Sequence, residues 1–145
     1  MDTWEWIPET PARWDDRKQR VLDGLDPALF GLGRPAAGDA LGDEWWRVDD
    51  GAGETVAYGR LDDSWGDAEI LVLVRPDAQR TGVGSFVLAR LEAEAGRRGL
   101  NYIYNVVPHD HPDPEQVTGW LAAHGFVRND VGELRKQVRV AVTPD

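Results

Sequence analysis

The pattern of apolar and polar positions divides the chain into short strands and a few amphipathic helices. Residues 68–75, AEILVLVR, are a near-continuous aliphatic run, as expected of a strand covered on both faces. Beyond it, Val83, Val87, Leu88, Leu91 and Ala95 recur on one helical face. Glu94 and Arg98 form an i,i+4 pair on another, and Gly99 is the stop. Residues 101–107, NYIYNVV, predict a further strand. Strand, helix and strand in this order make a right-handed crossover, so 68–75 and 101–107 are expected to run parallel in one sheet. Asp113 followed by Pro114 predicts an N-cap and a first-turn proline. Val117, Trp120, Leu121 and His124 then fall at helical spacing, with Gly125 as the stop.

The flanking segments carry weaker patterns. WEWI (4–7) predicts a short edge strand, and 13–24 predicts a helix with Trp14, Val21 and Leu22 apolar. Residues 31–43 are rich in Gly, Pro and Ala and predict a loop. WWRVDD (45–50) and ETVAYGRL (54–61) predict a hairpin about the turn DGAG, followed by a polar loop, DDSWGD (62–67). FVR (126–128) and ELRKQVRVAV (133–142) predict closing antiparallel strands about NDVG. Without internal repeats or low-complexity segments, residues 1–145 read as a single α/β domain.

Composition narrows the chemistry. The net charge is −10, from 26 acidic and 16 basic residues, which disfavours nucleic acid and anionic membranes and would suit a cationic substrate. The absence of cysteine excludes disulfides, thiolate metal sites and an acyl-cysteine intermediate. With no signal-like N-terminus and no apolar run of membrane-spanning length, the expectation is a soluble cytoplasmic protein, monomeric or homodimeric. Of the seven tryptophans, Trp45, Trp46 and Trp65 lie on or beside predicted strands, where they would fill the core or line an apolar pocket.

Gly82 and Gly84 stand between the aliphatic run and its helix, where backbone N–H groups and the helix dipole can close on an anion. A dinucleotide-binding fingerprint would need glycine where Val87 stands, and a P-loop would need Lys and Ser or Thr where Ser85 and Phe86 stand. Both fail. Val74-Arg75-Pro76 followed by Gln79-Arg80-Thr81-Gly82-Val83-Gly84 and an apolar helix instead resembles the acetyl-CoA signature of the GNAT superfamily of N-acetyltransferases, and the order of elements over residues 43–140 agrees. The resemblance implies a mixed, mostly antiparallel sheet with a central, splayed parallel strand pair and helices on both faces, the signature strand carrying a bulge. It implies acetyl-CoA as co-substrate. The main chain of Val72, Leu73 and Val74 would bind its pantetheine arm and acetyl carbonyl, and Gln79, Arg80, Thr81, Gly82, Val83, Gly84 and Ser85 would hold its pyrophosphate.

With no cysteine to acylate, the implied reaction is direct attack of a small-molecule or peptide amine on the thioester, the favoured acceptor being a small cationic amine. Deprotonating a lysine-like amine at pH 7 costs about 4.6 kcal/mol, so a general base is valuable. Glu69 resembles a catalytic glutamate of some family members but is one residue out of register, which on a strand reverses the face unless a bulge intervenes. His109 and His111 follow the second parallel strand and are further candidate bases. A metal site formed by these histidines with Asp110 and Asp113 lacks an ordered ligand framework and is not expected. The family's tyrosine acid is replaced by Leu121, which leaves Tyr104 or water as donor, although Tyr102 and Tyr104 also suit packing. His124 reads as a core or helix-end residue. Leu121 also supports a different class of function, a non-catalytic acyl-CoA-binding or interaction domain.

Overall fold

The computed structural model describes residues 3–138, so residues 139–142 of the predicted last strand lie outside the described residues. The strands are β1 (Glu5–Glu9), β2 (Glu44–Asp49), β3 (Thr55–Ser64), β4 (Asp67–Val74), β5 (Tyr102–Asn105), β6 (Val127–Arg128) and β7 (Leu134–Gln137). They form one mixed sheet in the order β1-β2-β3-β4-β5-β7-β6. All pairings are antiparallel except β4 with β5, the central parallel pair that the crossover predicts. The helices are α1 (Asp16–Val21), α2 (Val83–Arg97) and α3 (Pro114–Ala123).

Alternation along the strands sends successive side chains to two separate cores. On one face, Val83, Val87, Leu88, Leu91 and Ala95 of α2 are all buried against Ala57, Leu61, Ala68, Ile70 and Ile103, and α3 joins them through Leu121. On the other face, Val21 and Leu22 pack with Trp14, Trp45, Tyr58 and Leu73. The second core contains a charge that the apolar pattern does not announce. Lys18 is fully buried, with Nζ 2.5 Å from Glu9 Oε1, 2.8 Å from the Arg13 carbonyl and 4.8 Å from the centre of the Tyr58 ring. A buried ammonium is tolerable only with such partners. By holding both β1 and the segment before α1, it fixes α1 against the sheet.

Three expectations are corrected. Residues 62–67 are not a loop: β3 continues to Ser64, and Trp65 and Gly66, with φ of +56° and +85°, make a two-residue turn into β4. The strand ends there are polar because the hairpin outruns both cores, which hid their extended conformation. Trp65, placed in core or pocket by its position beside a strand, sits at the tip of that turn and is fully exposed, whereas Trp45 and Trp46 are buried. Finally, β4 carries no bulge against β3, since the register runs unbroken from Ala57↔Val74 to Ser64↔Asp67; the irregularity lies at Val48/Asp49 of β2.

The α2 face approaches β3 closely at Gly59, where a Cβ would lie 2.9 Å from both the Trp6 ring and Val87 Cγ1. Trp6 cannot yield easily, because it is stacked on Trp46 at 5.4 Å. Gly59→Ala is therefore expected to destabilise the protein by about 1–3 kcal/mol through overpacking, read from the denaturant midpoint at unchanged m-value. An unchanged midpoint would mean that α2 can lift from the sheet at no cost.

Candidate active-site cleft

The parallel pairing of β4 and β5 is short. It covers Asp67↔Tyr102, Ala68↔Ile103 and Glu69↔Tyr104, after which β5 diverges. At the fork the side-chain amide of Asn105 donates to the Ile70 carbonyl at 2.7 Å, taking the place of the next main-chain bond. Ile70 thus presents its main chain to the β5 side, while the Arg75 N–H bonds to Val56 on the β3 side at 2.9 Å. Strand alternation then turns the N–H and C=O groups of Val72 and Val74 to the open edge and those of Leu73 towards β3. Of the three predicted main-chain positions, Val72 and Val74 face the fork with backbone groups. Leu73 lines it otherwise.

A cleft of about 510 Å³ runs along this open edge, bounded at one end by Gln79, Arg80, Gly82, Gly84 and Ser85. Gly82 is the N-cap of α2 at φ +92°, and Arg80 before it is also left-handed at φ +67°. No side chain caps the helix and no acidic residue occupies its first turn. The Phe86 N–H is bonded to the Gly82 carbonyl at 3.0 Å, so the N–H groups of Gly84 and Ser85 precede the helical ladder and that of Val83 has only a 3.4 Å contact to Thr81 Oγ1. Such a terminus favours an anion. Gly84 also admits Trp120, whose Cζ2 would lie 3.2 Å from a Cβ there. Two predicted loop residues have other roles: Val83 is buried in the core, and Thr81 donates to the Ala78 carbonyl at 2.6 Å, shaping the loop from behind.

The four catalytic candidates separate. Glu69 is turned to the face of Leu71 and Leu73, as its unbulged register requires, and is bound by Arg60 at 2.8 Å; it does not line the cleft. Tyr104, its neighbour across the parallel pair, lies outside the cleft too, and burial together with the Glu69 carboxylate pushes its pKa up. His109 is fully exposed beside Asp110. His111 lines the cleft. Its Nδ1 accepts the Asp113 N–H at 2.9 Å and its ring stands edge-on to Phe30 at 5.2 Å. Burial holds its pKa below the ordinary 6.5, against the pull of the Asp113 carboxylate. With Nδ1 occupied by a backbone donor, the neutral ring carries its proton on Nε2, which makes it a hydrogen-bond donor and not a free base.

Further lining residues were not indicated by the sequence. Asn105 is legible only as a polar interruption of an aromatic strand. Leu25 and Phe30 come from the turn after α1 and reach the cleft from the face opposite α2. His124 stands at the helix end, as the C-cap of α3, and not in the core: Nδ1 donates to the Trp120 carbonyl at 2.8 Å, leaving Nε2 to accept from Ser85 Oγ at 3.0 Å. Leu121, which lines the cleft, is buried and apolar. Among the described residues, no group of three or more His, Asp and Glu side chains is placed to hold a metal ion, and no helix is long and apolar enough to cross a membrane.

The sequence matches the acetyltransferase (GNAT) family over residues 2–126. No curated protein sequence is similar enough to match the chain. Among solved structures, the fold is similar to that of the ribosomal-protein-S18-alanine N-acetyltransferase from Escherichia coli, at 14% identity and TM-score 0.61 over 98% of this chain and 97% of that one. It is similar also to an acetyltransferase of the GNAT family from Staphylococcus aureus, at 10% identity and TM-score 0.64 over 94% of this chain and 100% of that one. A phosphinothricin acetyltransferase from Sinorhizobium meliloti, solved with acetyl-CoA, superimposes at 17% identity and TM-score 0.55 over 72% of this chain and 66% of that one.

The His111 bond has a pH signature. A histidine whose folded pKa lies below its unfolded value contributes stability that is complete above about 6.5 and is lost as the pH falls below it, because the unfolded chain binds the extra proton first. The wild-type protein is expected to lose more stability between pH 7 and pH 5 than His111→Gln, measured by urea unfolding at each pH. Parallel profiles would remove the half-buried, neutral imidazole.

Proposed function

The chain belongs to the acetyltransferase (GNAT) family, and on that premise we propose that it transfers an acetyl group from acetyl-CoA to a primary amine by direct attack within a ternary complex. The observation that carries this reading is the coincidence of an opened strand edge with an uncapped glycine turn along one cleft. An extended pantetheine arm can bond to the main chain of Val72 and Val74 as an added strand would, while its pyrophosphate meets the Gly84 and Ser85 N–H groups beside Arg80. Gln79 and Gly82 border the same anion, and Thr81 and Val83 support it indirectly.

The amine nitrogen bonds to the thioester carbon, the C–S bond breaks, and the proton lost from nitrogen reaches the departing sulfur through water. Main-chain N–H groups of the open edge can polarise the thioester carbonyl. Glu69 and Tyr104 have no part in this scheme. His111 is assigned as a donor through Nε2–H: a neutral imidazole is too weak an acid to surrender its proton to a thiolate, but it stabilises developing negative charge by hydrogen bonding. Leu121, apolar in a position where many relatives hold a tyrosine, supports a second reading, a domain that binds acyl-CoA without turning it over.

Acetyl-CoA at about 100 times its dissociation constant is expected to stabilise the protein by about 2.7 kcal/mol, seen as a thermal shift, and Gly84→Glu is expected to abolish the shift by setting a carboxylate against the anion and bulk against Trp120. The absence of any shift in the wild-type protein would remove the coenzyme from the reading. With an amine present, release of CoA thiol is expected, and His111→Ala should lower kcat by about 10²-fold with the thermal shift intact. Binding without thiol release for any amine, protein N-termini included, would favour the second reading.

A further inference from the structure

Resting on the assignment of this cleft to acetyl transfer, we infer that the acceptor is a primary amine with an apolar body, such as an arylalkyl or branched alkylamine, and that polycations are poor acceptors. The cleft passes through the fork to the face opposite α2, where its walls are Val21, Leu22, Leu25, Phe30, Leu71 and Leu73. This wall is aliphatic and aromatic throughout. Leu25, 42% exposed, stands at the open rim of this wall. Val106, 48% exposed, follows the lining residue Asn105 on the other side of the fork.

None of the six side chains of this wall is charged. Several carboxylates on the same face are held in ion pairs: Lys18 bridges Glu9 and Asp15, and Arg60 bridges Glu69 and Asp43. Among the described residues Asp113 is the sole carboxylate lining the cleft, and one of its oxygens caps α3 through the Gln116 N–H at 3.2 Å. A second ammonium group set against the six apolar side chains would lose hydration with no ionic partner among them, which is costly. An aryl or branched alkyl body gains the full burial of its apolar surface.

The same wall bears on the chemistry. Desolvation disfavours the charged form of an amine and so lowers its pKa, presenting the free base that the thioester needs. An apolar acceptor site thereby takes over part of the task for which a carboxylate base would otherwise be required. This accounts for a cleft in which Glu69 is absent and His111 is already protonated on its open nitrogen.

The test compares 2-phenylethylamine and 3-methylbutylamine with putrescine and spermidine, following CoA thiol release by the full chain. The first pair is expected to exceed the second at least tenfold in kcat/KM. Leu25→Glu, at a half-exposed position that the fold can tolerate, is expected to cut that ratio tenfold or more while keeping the acetyl-CoA thermal shift; Phe30→Ala should lower it through lost contact. Equal or greater activity on the polyamines would overturn the inference and leave acetyl transfer standing. So would a ratio that neither variant changes, or the failure of all four amines when a peptide amine is acetylated. Loss of the thermal shift in the wild-type protein would instead strike the underlying assignment.

Discussion

Where the sheet divides depends on one side-chain hydrogen bond. The parallel ladder between β4 and β5 lasts three residue pairs, and the Asn105 amide then occupies the Ile70 carbonyl. A main-chain donor at that point would continue the ladder and seal the edge. A side-chain donor satisfies the carbonyl and lets the β5 backbone leave. Everything that makes the cleft follows from that departure: the unpaired edge at Val72 and Val74, the loop that carries His111, and the seat of α3 beside the glycine turn. The closed side of the fork is held by Ala68 and Ile103, neighbours in register and both fully buried, so the opening begins from a rigid point.

The parts of the fold governed by periodicity were legible. Five residues of α2 marked at helical spacing are the five it buries, and Asp113 caps α3 through the Gln116 N–H. Periodicity failed where strands extend beyond the cores: residues 62–64 are strand without being apolar, and Trp65 is apolar without being buried. Of the candidate site, the glycine turn was legible, with Gly82 as the left-handed N-cap of α2, because glycines report backbone geometry directly. Side-chain chemistry was not. Glu69 and Tyr104 are adjacent across the parallel pair, yet neither lines the cleft: Glu69 shares the face of Leu71 and Leu73 but stands where the two strands are still paired, and Arg60 holds it there. The contact of His124 with Ser85 joins residues 39 apart, and no local pattern could announce it.

Electrostatic character is distributed unevenly. A net charge of −10 suggests attraction of cations over the whole surface, but on the face opposite α2 Lys18 and Arg60 are already paired with Glu9 and Glu69. Lys18 is the clearest instance. Its ammonium could have gone to solvent from a short surface helix, and instead it is held under Tyr58 and Trp45 with Glu9 as its closest partner. Ion pairs of this kind contribute less to stability than to position, since the desolvation of both charges offsets their attraction. Here the position is that of α1, and through it of Val21 and Leu22. An acidic protein thus keeps a charge-poor pocket.

The two ends of the cleft are written in different parts of the chain. The proposed coenzyme end is contiguous, from β4 through the glycine turn to the first turn of α2, and it offers chiefly main-chain groups, which are indifferent to side-chain identity. The opposite wall comes chiefly from α1 and the turn that ends at Phe30, a segment that precedes β2 and packs in its own core. A change of residue at Leu25 or Phe30 need not disturb an atom of the anion-binding turn. With donor and acceptor seated as proposed, their recognition is separately heritable in this molecule. The segment from 20 to 30 can drift or be exchanged, altering what is modified, while the machinery of transfer is passed on intact.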